Sequence, residues 1–430
     1  MPDATAAAEV DFFTSPVVGE NPFEWFEQAR ANGPVWKEPH HGVYMVTGHQ
    51  EIMDMAMKPE IFSSCVAVTG PFPGLNTEVH GDSAREAVEA ARPTLPMNEY
   101  IVTLDEPNHT KQRALLMRLL TPRRLKENED FIRRLCDEQL DTILELGEIE
   151  MLKGYASPFA LLVVADLLGV PEADHDNLRK QFGFNKPGEF GKEGEMAVNP
   201  LGFLQEEFIS YIEDRRKNPR SDVLTAMANA TYVDGGIPEV MDVVRVATFL
   251  FAAGQDTSAR LICAAAKQLA LDKALQDQLR KDPSKIDTLV EETLRLEGPV
   301  KTGFRLAMET TELGGVTIPA GSILAMALSA ANPDPRRFEC PAEFSMDRPD
   351  PYSHLAFGRG PHACPGGALA RIEARITLER LLARTTDISL SAERHGDPSS
   401  PEFKYAPTYI LRGLNDLHLT FTPAPSTVSV

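Results

Sequence analysis

HLAFGRGPHACPGGALAR (354–371) sets a single cysteine, Cys364, among glycines and prolines at the opening of a segment with helical character. A thiolate that ligates a metal needs its negative charge stabilised in an apolar setting. The free N–H groups and dipole of a helix N-terminus do this. Glycines let the backbone approach the sulfur closely. Pro365 suits the first helical position, where its missing N–H costs little, and Phe357 is bulky enough to cover the sulfur from one side. A free structural cysteine after a turn fits the same position, so the rest of the chain has to separate the two readings.

The chain has 430 residues, enough for a large core, and its 43% hydrophobic and 25% charged residues place it among soluble globular proteins. No apolar run reaches the roughly 20 residues of a membrane span. The opening MPDATAAAEVDFF has neither the basic start nor the apolar stretch of a signal peptide, so a soluble, cytoplasmic protein is expected. The 5 cysteines (Cys65, Cys136, Cys263, Cys340, Cys364) are odd in number, scattered and without a CxxC pair, which argues against a disulfide framework or a zinc site. A net charge of −20 argues against nucleic acid and anionic membranes as partners.

Helical periods dominate. They run through NHTKQRALLMRLL (108–120), EDFIRRLCDEQLDTILEL (129–146), SPFALLVVADLLGV (157–170) and PLGFLQEEFISYIEDRRK (200–217). The longest spans about Pro238 to Asp272. VYMVTG (43–48) and DLHLTFT (416–422) read as strands, and Gly314-Gly315 as the turn of a hairpin. Residues 63–98, with GPFPG at 70–74, and residues 185–198 have no period and read as long loops, which are usually functional or disordered. The expectation is one mainly α domain with a small β portion over 21–423, with tails at 1–20 and 424–430.

Three further stretches carry polar residues in apolar surroundings. In EETLRLEGP (291–299), Glu292 and Arg295 share a helix face. In FLFAAGQDTSAR (249–260), a glycine, an acid and an alcohol interrupt the longest apolar period, as a bend would with Thr257 bonding back to an earlier carbonyl. In DEPNHTKQR (105–113), His109 and Arg113 are four apart on one face.

Together these resemble the cytochrome P450 family. FGRGPHACPG matches its haem-binding loop, Phe-x-x-Gly-x-x-x-Cys-x-Gly, at Phe357, Gly360, Cys364 and Gly366, with Gly358 inside the loop. The resemblance runs from VYMVTG almost to the end of the chain, with the motifs in family order. It implies the single-domain fold of that family around haem b, with Cys364 as axial thiolate on the iron, a ligand that favours O–O cleavage. Ala253, Gly254, Asp256 and Thr257 would form the oxygen-binding groove. There Thr257 would hydrogen-bond the oxygen species and Asp256 would pass protons. His109, Arg113, Arg305 and His362 would hold the haem propionates, whose two negative charges call for several cations or donors. Glu292 and Arg295, with Arg337 as third member, would brace the core of the loop.

The implied reaction is monooxygenation of an apolar small molecule, of terpenoid, steroid or aromatic kind. O2 would supply the oxygen, and a ferredoxin with an NAD(P)H-dependent reductase the electrons. Phe72, Leu75, Phe182, Phe184, Leu250, Ala253, Thr302, Phe304 and Thr408 are the expected pocket. Arg359, Arg371 and Arg375, flanking the thiolate, are the expected docking patch for an acidic ferredoxin. A haem-thiolate peroxygenase or isomerase, or a haem-binding sensor without catalysis, are the alternatives; the Asp256–Thr257 pair disfavours both.

Overall fold

The longest period becomes one unbroken helix, Val240–Leu271, of 32 residues, about 48 Å at 1.5 Å per residue. It opens on a reciprocal cap in which Glu239 and Asp242 each accept the other's backbone N–H. This long helix is apolar almost all round, which only a central position satisfies. Against it pack Ser157–Leu168, Gly202–Lys217, Ile286–Glu297 and Gly367–Arg384, their buried faces merging into the largest core cluster. Ser157–Leu168 ends at Gly169, whose left-handed φ of +76° closes the helix. The computed structural model describes residues 6–75, 77–175, 198–232 and 235–425.

The β portion lies to one side. Its main sheet runs in the order Val35–Lys37, Tyr44–Val46, Ile323–Met326, Gly303–Ala307, Phe62–Ser63. Only the pair Tyr44–Val46 with Ile323–Met326 is parallel. The hairpin at Gly314-Gly315 forms as expected, pairing Thr311–Leu313 with Val316–Ile318. A second sheet joins Glu148–Glu150, His418–Pro423 and Thr385–Leu390. Among the described residues no helix is long and apolar enough to cross a membrane.

Two expectations change. Residues 63–98 are not loop throughout, since Arg85–Ala91 is helical with Ala87, Val88 and Ala91 buried. The segment read as an N-terminal tail over 1–20 is structural from Ala7 onward. Phe12, Phe13 and Val18 sit in a core cluster with Trp25, Phe26 and Phe304. Lys301 Nζ donates to the carbonyl of Gly19 and Arg412 to that of Glu20. Lone aromatic residues in a polar stretch carry no period, so only their tertiary partners reveal them as core.

Candidate functional site

The cysteine loop folds back on itself before its helix begins. The amide of Gly358 donates to Leu355 O at 2.8 Å, that of Ala363 to Gly360 O at 3.0 Å, and that of Cys364 to Phe357 O at 2.8 Å. Gly360 has φ +70°, and a Cβ there would collide with the carbonyl oxygen of Ala56, so only glycine fits. The helix spans Gly367–Arg384 with Gly366 at its cap. Pro365 therefore stands just outside it rather than at its first position. This leaves the amides of Gly366 and Gly367 to bond the Cys364 sulfur. Burial among protein atoms pushes the thiol up, while those amides, Arg113 and Arg371 pull it back. Yet Cys364 itself is exposed, which for a residue set in core elements means it opens onto a cleft.

Beside it the structure gathers the four groups expected at the propionates. The rings of His109 and His362 lie 3.9 Å apart. Burial first, then Arg305, His109 and Arg113, drives the His362 imidazole down to about 2. Burial likewise lowers Arg305 to about 10 and Arg113 below its ordinary value, with Asp105 and Cys364 respectively opposing. Nε2 of His109 is buried without a hydrogen-bond partner, although Nδ1 lies 3.4 Å from Glu106. Two guanidiniums and an unpartnered ring nitrogen converging on one place fit a group bearing two carboxylates. Ser64 joins them, its hydroxyl 3.1 Å from His362 Nε2.

The long helix is buried through Phe251 and again from Ser258, yet Ala253 between them is exposed. The groove stretch thus faces an opening. Thr257 Oγ1 donates to Ala253 O at 2.9 Å and Asp256 pairs with Arg260 at 2.7 Å. The helix does not break at Gly254. A Cβ there would sit 2.9 Å from Val164 Cγ2, so this glycine is required by close packing against Ser157–Leu168. Behind the groove lies a residue the sequence did not single out. Glu373 is fully buried, and neither of its oxygens finds a hydrogen bond among the described residues. Burial raises it to about 8, eased only by the Ser258 hydroxyl next to Thr257.

Glu292 and Arg295 pair as expected, both wholly buried, at 2.8 Å. The third member is not Arg337, which is half-exposed and pairs with Asp350 on the surface. It is Arg348, whose Nε lies 3.0 Å from both Glu292 oxygens. Arg295, Arg337 and Arg348 all lie within 6 Å of the Phe338 ring, and the fold of the proline-rich coil decides which of the latter two turns inward.

The arginines of the expected docking patch all have partners within the fold. Arg371 bonds both oxygens of Glu291, at 2.6 and 2.8 Å. Arg375 pairs with Glu129 and Glu379, and Arg359 donates to the carbonyls of Tyr352 and His354. Glu291 and Glu129 come from facing helices and Glu379 from one turn further along the same helix, so the two helix arginines are ion-paired within the fold.

Of the expected pocket, Ala253 is exposed and Leu250, three residues before it on the long helix, is buried. Phe182 and Phe184 lie outside the described residues. The others have different partners. Phe304 and Phe72 belong to an aromatic cluster with Phe13 and Tyr409, and Leu75 packs on the same core. The hydroxyl of Thr302 donates to Tyr409 O and that of Thr408 to Leu411 O. Their apolar or polar needs are met by the β side of the molecule.

Comparison with known proteins agrees with this geometry. The family profile "Cytochrome P450" matches residues 180–386. The chain is 32% identical to "Cytochrome P450 144" of Mycobacterium tuberculosis over 89% of its own length and 87% of that protein. It is 28% identical to a "Steroid C26-monooxygenase" of the same organism over 92% of the chain and 99% of that protein. Among solved structures, that of Mycobacterium marinum cytochrome P450 CYP150A6 in the substrate-free form superposes with a TM-score of 0.92 at 48% identity, covering 97% of this chain and 100% of that one.

Proposed function

The chain belongs to the cytochrome P450 family, a monooxygenase with haem b as its cofactor, and from that premise we propose that it oxidises an apolar, mid-sized molecule of terpenoid, steroid or aromatic kind with electrons from a ferredoxin. The observation that carries this is the placing of Cys364. Its sulfur takes amides from Gly366 and Gly367 beside the guanidiniums of Arg113 and Arg305 and the rings of His109 and His362. Support for the substrate class comes from the steroid C26-monooxygenase, similar along nearly its whole length. All five cysteines are free, as suits the reducing cytoplasm.

Each residue then has a task. Cys364 would hold the haem through its thiolate, and the amides of Gly366 and Gly367 offset part of the burial that pushes the free thiol up. Arg113, Arg305, His109 and His362 would hold the two haem carboxylates. Bound haem supplies the activation of O2, one atom entering the substrate and the other leaving as water at the expense of two electrons and two protons. Asp256 and Thr257 bring those protons. Asp256 is held by Arg260 at 2.7 Å, and the adjacent Thr257 hydroxyl hands the proton on.

The test is direct. The haem-loaded protein is titrated with steroids, terpenoids and aromatics while its absorption is followed for the low-spin to high-spin change. Compounds that bind are then incubated with NADPH, a surrogate ferredoxin and its reductase. Oxygenated product is the expected result. Product with peroxide alone would make the chain a peroxygenase, and binding without any turnover a sensor.

A further inference from the structure

We propose that Glu291 is a positioning residue for the thiolate: through Arg371 and the ring of Phe357 it sets the electrostatic field at Cys364. The inference rests on Cys364 being the axial ligand. Glu291 is next to the triad's Glu292 in the chain, but its side chain serves the cysteine helix instead. It is 1% exposed and grips Arg371 with both oxygens. Arg371 in turn lies 4.5 Å above the Phe357 ring and donates to Gly367 O at 3.3 Å. Gly367 lets this stack close tightly. A Cβ there would stand 3.3 Å from Phe357 and 3.5 Å from Arg371 Nη1. Phe357 is tied to the cysteine by its own carbonyl, which accepts the Cys364 amide at 2.8 Å. The chain of contact from Glu291 to the sulfur therefore has no gap.

His354 fixes the charge on this chain. Its Nδ1 accepts the Ala356 amide at 3.1 Å, so the ring proton sits on Nε2, 2.9 Å from Glu291 Oε2. His354 is thus neutral and a donor. Burial pushes Glu291 up, but Arg371 and His354 outweigh it and keep the carboxyl ionised. One negative charge then balances one positive charge directly beside the sulfur. A thiolate that feels the bare Arg371 charge gives less electron density to iron, and one that feels it cancelled gives more. The carboxylate acts as a setting on the donor strength of Cys364.

The experiment measures the reduction potential of the substrate-free haem protein by spectroelectrochemistry in the wild type, Glu291→Gln, Arg371→Gln and the double variant. Glu291→Gln is expected to raise the potential, because Arg371 loses its counter-charge. Arg371→Gln is expected to lower it, and the double variant to return close to the wild type. A merely structural brace would move both single variants the same way, or neither, and either result overturns the proposal. Should Glu291→Gln fail to take up haem, Arg371→Gln, a third of whose parent side chain is already open to solvent at 33%, decides alone: its potential must fall. If the wild-type reduced carbon monoxide complex lacks the red-shifted thiolate band, the ligand assignment itself is wrong. With that band present and the potentials unmoved, only the role of Glu291 is.

Discussion

Replacing Arg348 by methionine, with Arg337→Met in parallel, separates the triad drawn from tertiary geometry from the one drawn from sequence. Arg348 gives its Nε to both oxygens of Glu292, its Nη1 to Glu339 O at 2.9 Å and its Nη2 to Glu343 O at 2.9 Å. Its side chain is 6% exposed, against 0% for Glu292. Methionine leaves Glu292 with Arg295 and the Ser345 amide alone, so a buried carboxylate loses half its cationic support. Breaking a buried pair in this way costs about 3–5 kcal/mol. Arg337 meets Asp350 with 44% and 58% of the two side chains exposed, and such a pair is worth about 0–1 kcal/mol. Unfolding entropy of about 2.1 cal/mol/K per residue amounts to about 0.9 kcal/mol/K over the chain. Arg348→Met should therefore lower the melting temperature by about 3–6 °C and Arg337→Met by about 1 °C or less. Thermal melts of the haem-loaded proteins, followed by far-UV circular dichroism, read the difference. Equal shifts, or a larger one for Arg337→Met, would refute the assignment.

Cys364→Ser should abolish the strongly red-shifted band of the reduced carbon monoxide complex, and a surviving band would exclude that sulfur as the ligand. Thr257→Ala should divert NADPH consumption from product to peroxide, measured as the ratio of the two; an unchanged ratio removes the hydroxyl from proton transfer. Gly254→Ala drives a methyl against Val164 and should cost about 1–3 kcal/mol in urea unfolding, whereas a neutral result would mean that the glycine serves the cleft and not the packing. Glu373 is raised from an ordinary 4.5 to about 8, so the folded protein holds a proton there that the unfolded chain releases. Its contribution is intact below 4.5 and should fall by about 1 kcal/mol per pH unit as pH rises towards 8. Glu373→Gln should flatten that alkaline decline in urea midpoints measured from pH 5 to pH 9, and parallel curves would show the carboxyl to be ionised already.

Much of the site was legible because its chemistry is local in the chain. A thiolate at a helix start needs glycine and proline within a few residues of itself, and 354–371 displays them side by side. His109 with Arg113 and Glu292 with Arg295 are each set by helical spacing, so their common faces follow from counting, while Asp256 and Thr257 are simply adjacent in the chain. The extent of the long helix followed likewise from its sustained period, which the structure forms as Val240–Leu271. Contacts across the chain were a different matter. DPRRF offers Arg337 beside Phe338 by proximity alone, while the coil that follows turns Arg348 inward instead. Arg371 and Arg375 read as a basic patch because two of their counter-charges, Glu291 and Glu129, come from other helices. Phe72 and Phe304 read as pocket because an isolated aromatic has no period to declare which core it fills. Spacing along one element is a property of the backbone and can be read from the sequence; which buried charge meets which carboxylate depends on how separate elements are brought together, and that the tertiary structure alone decides.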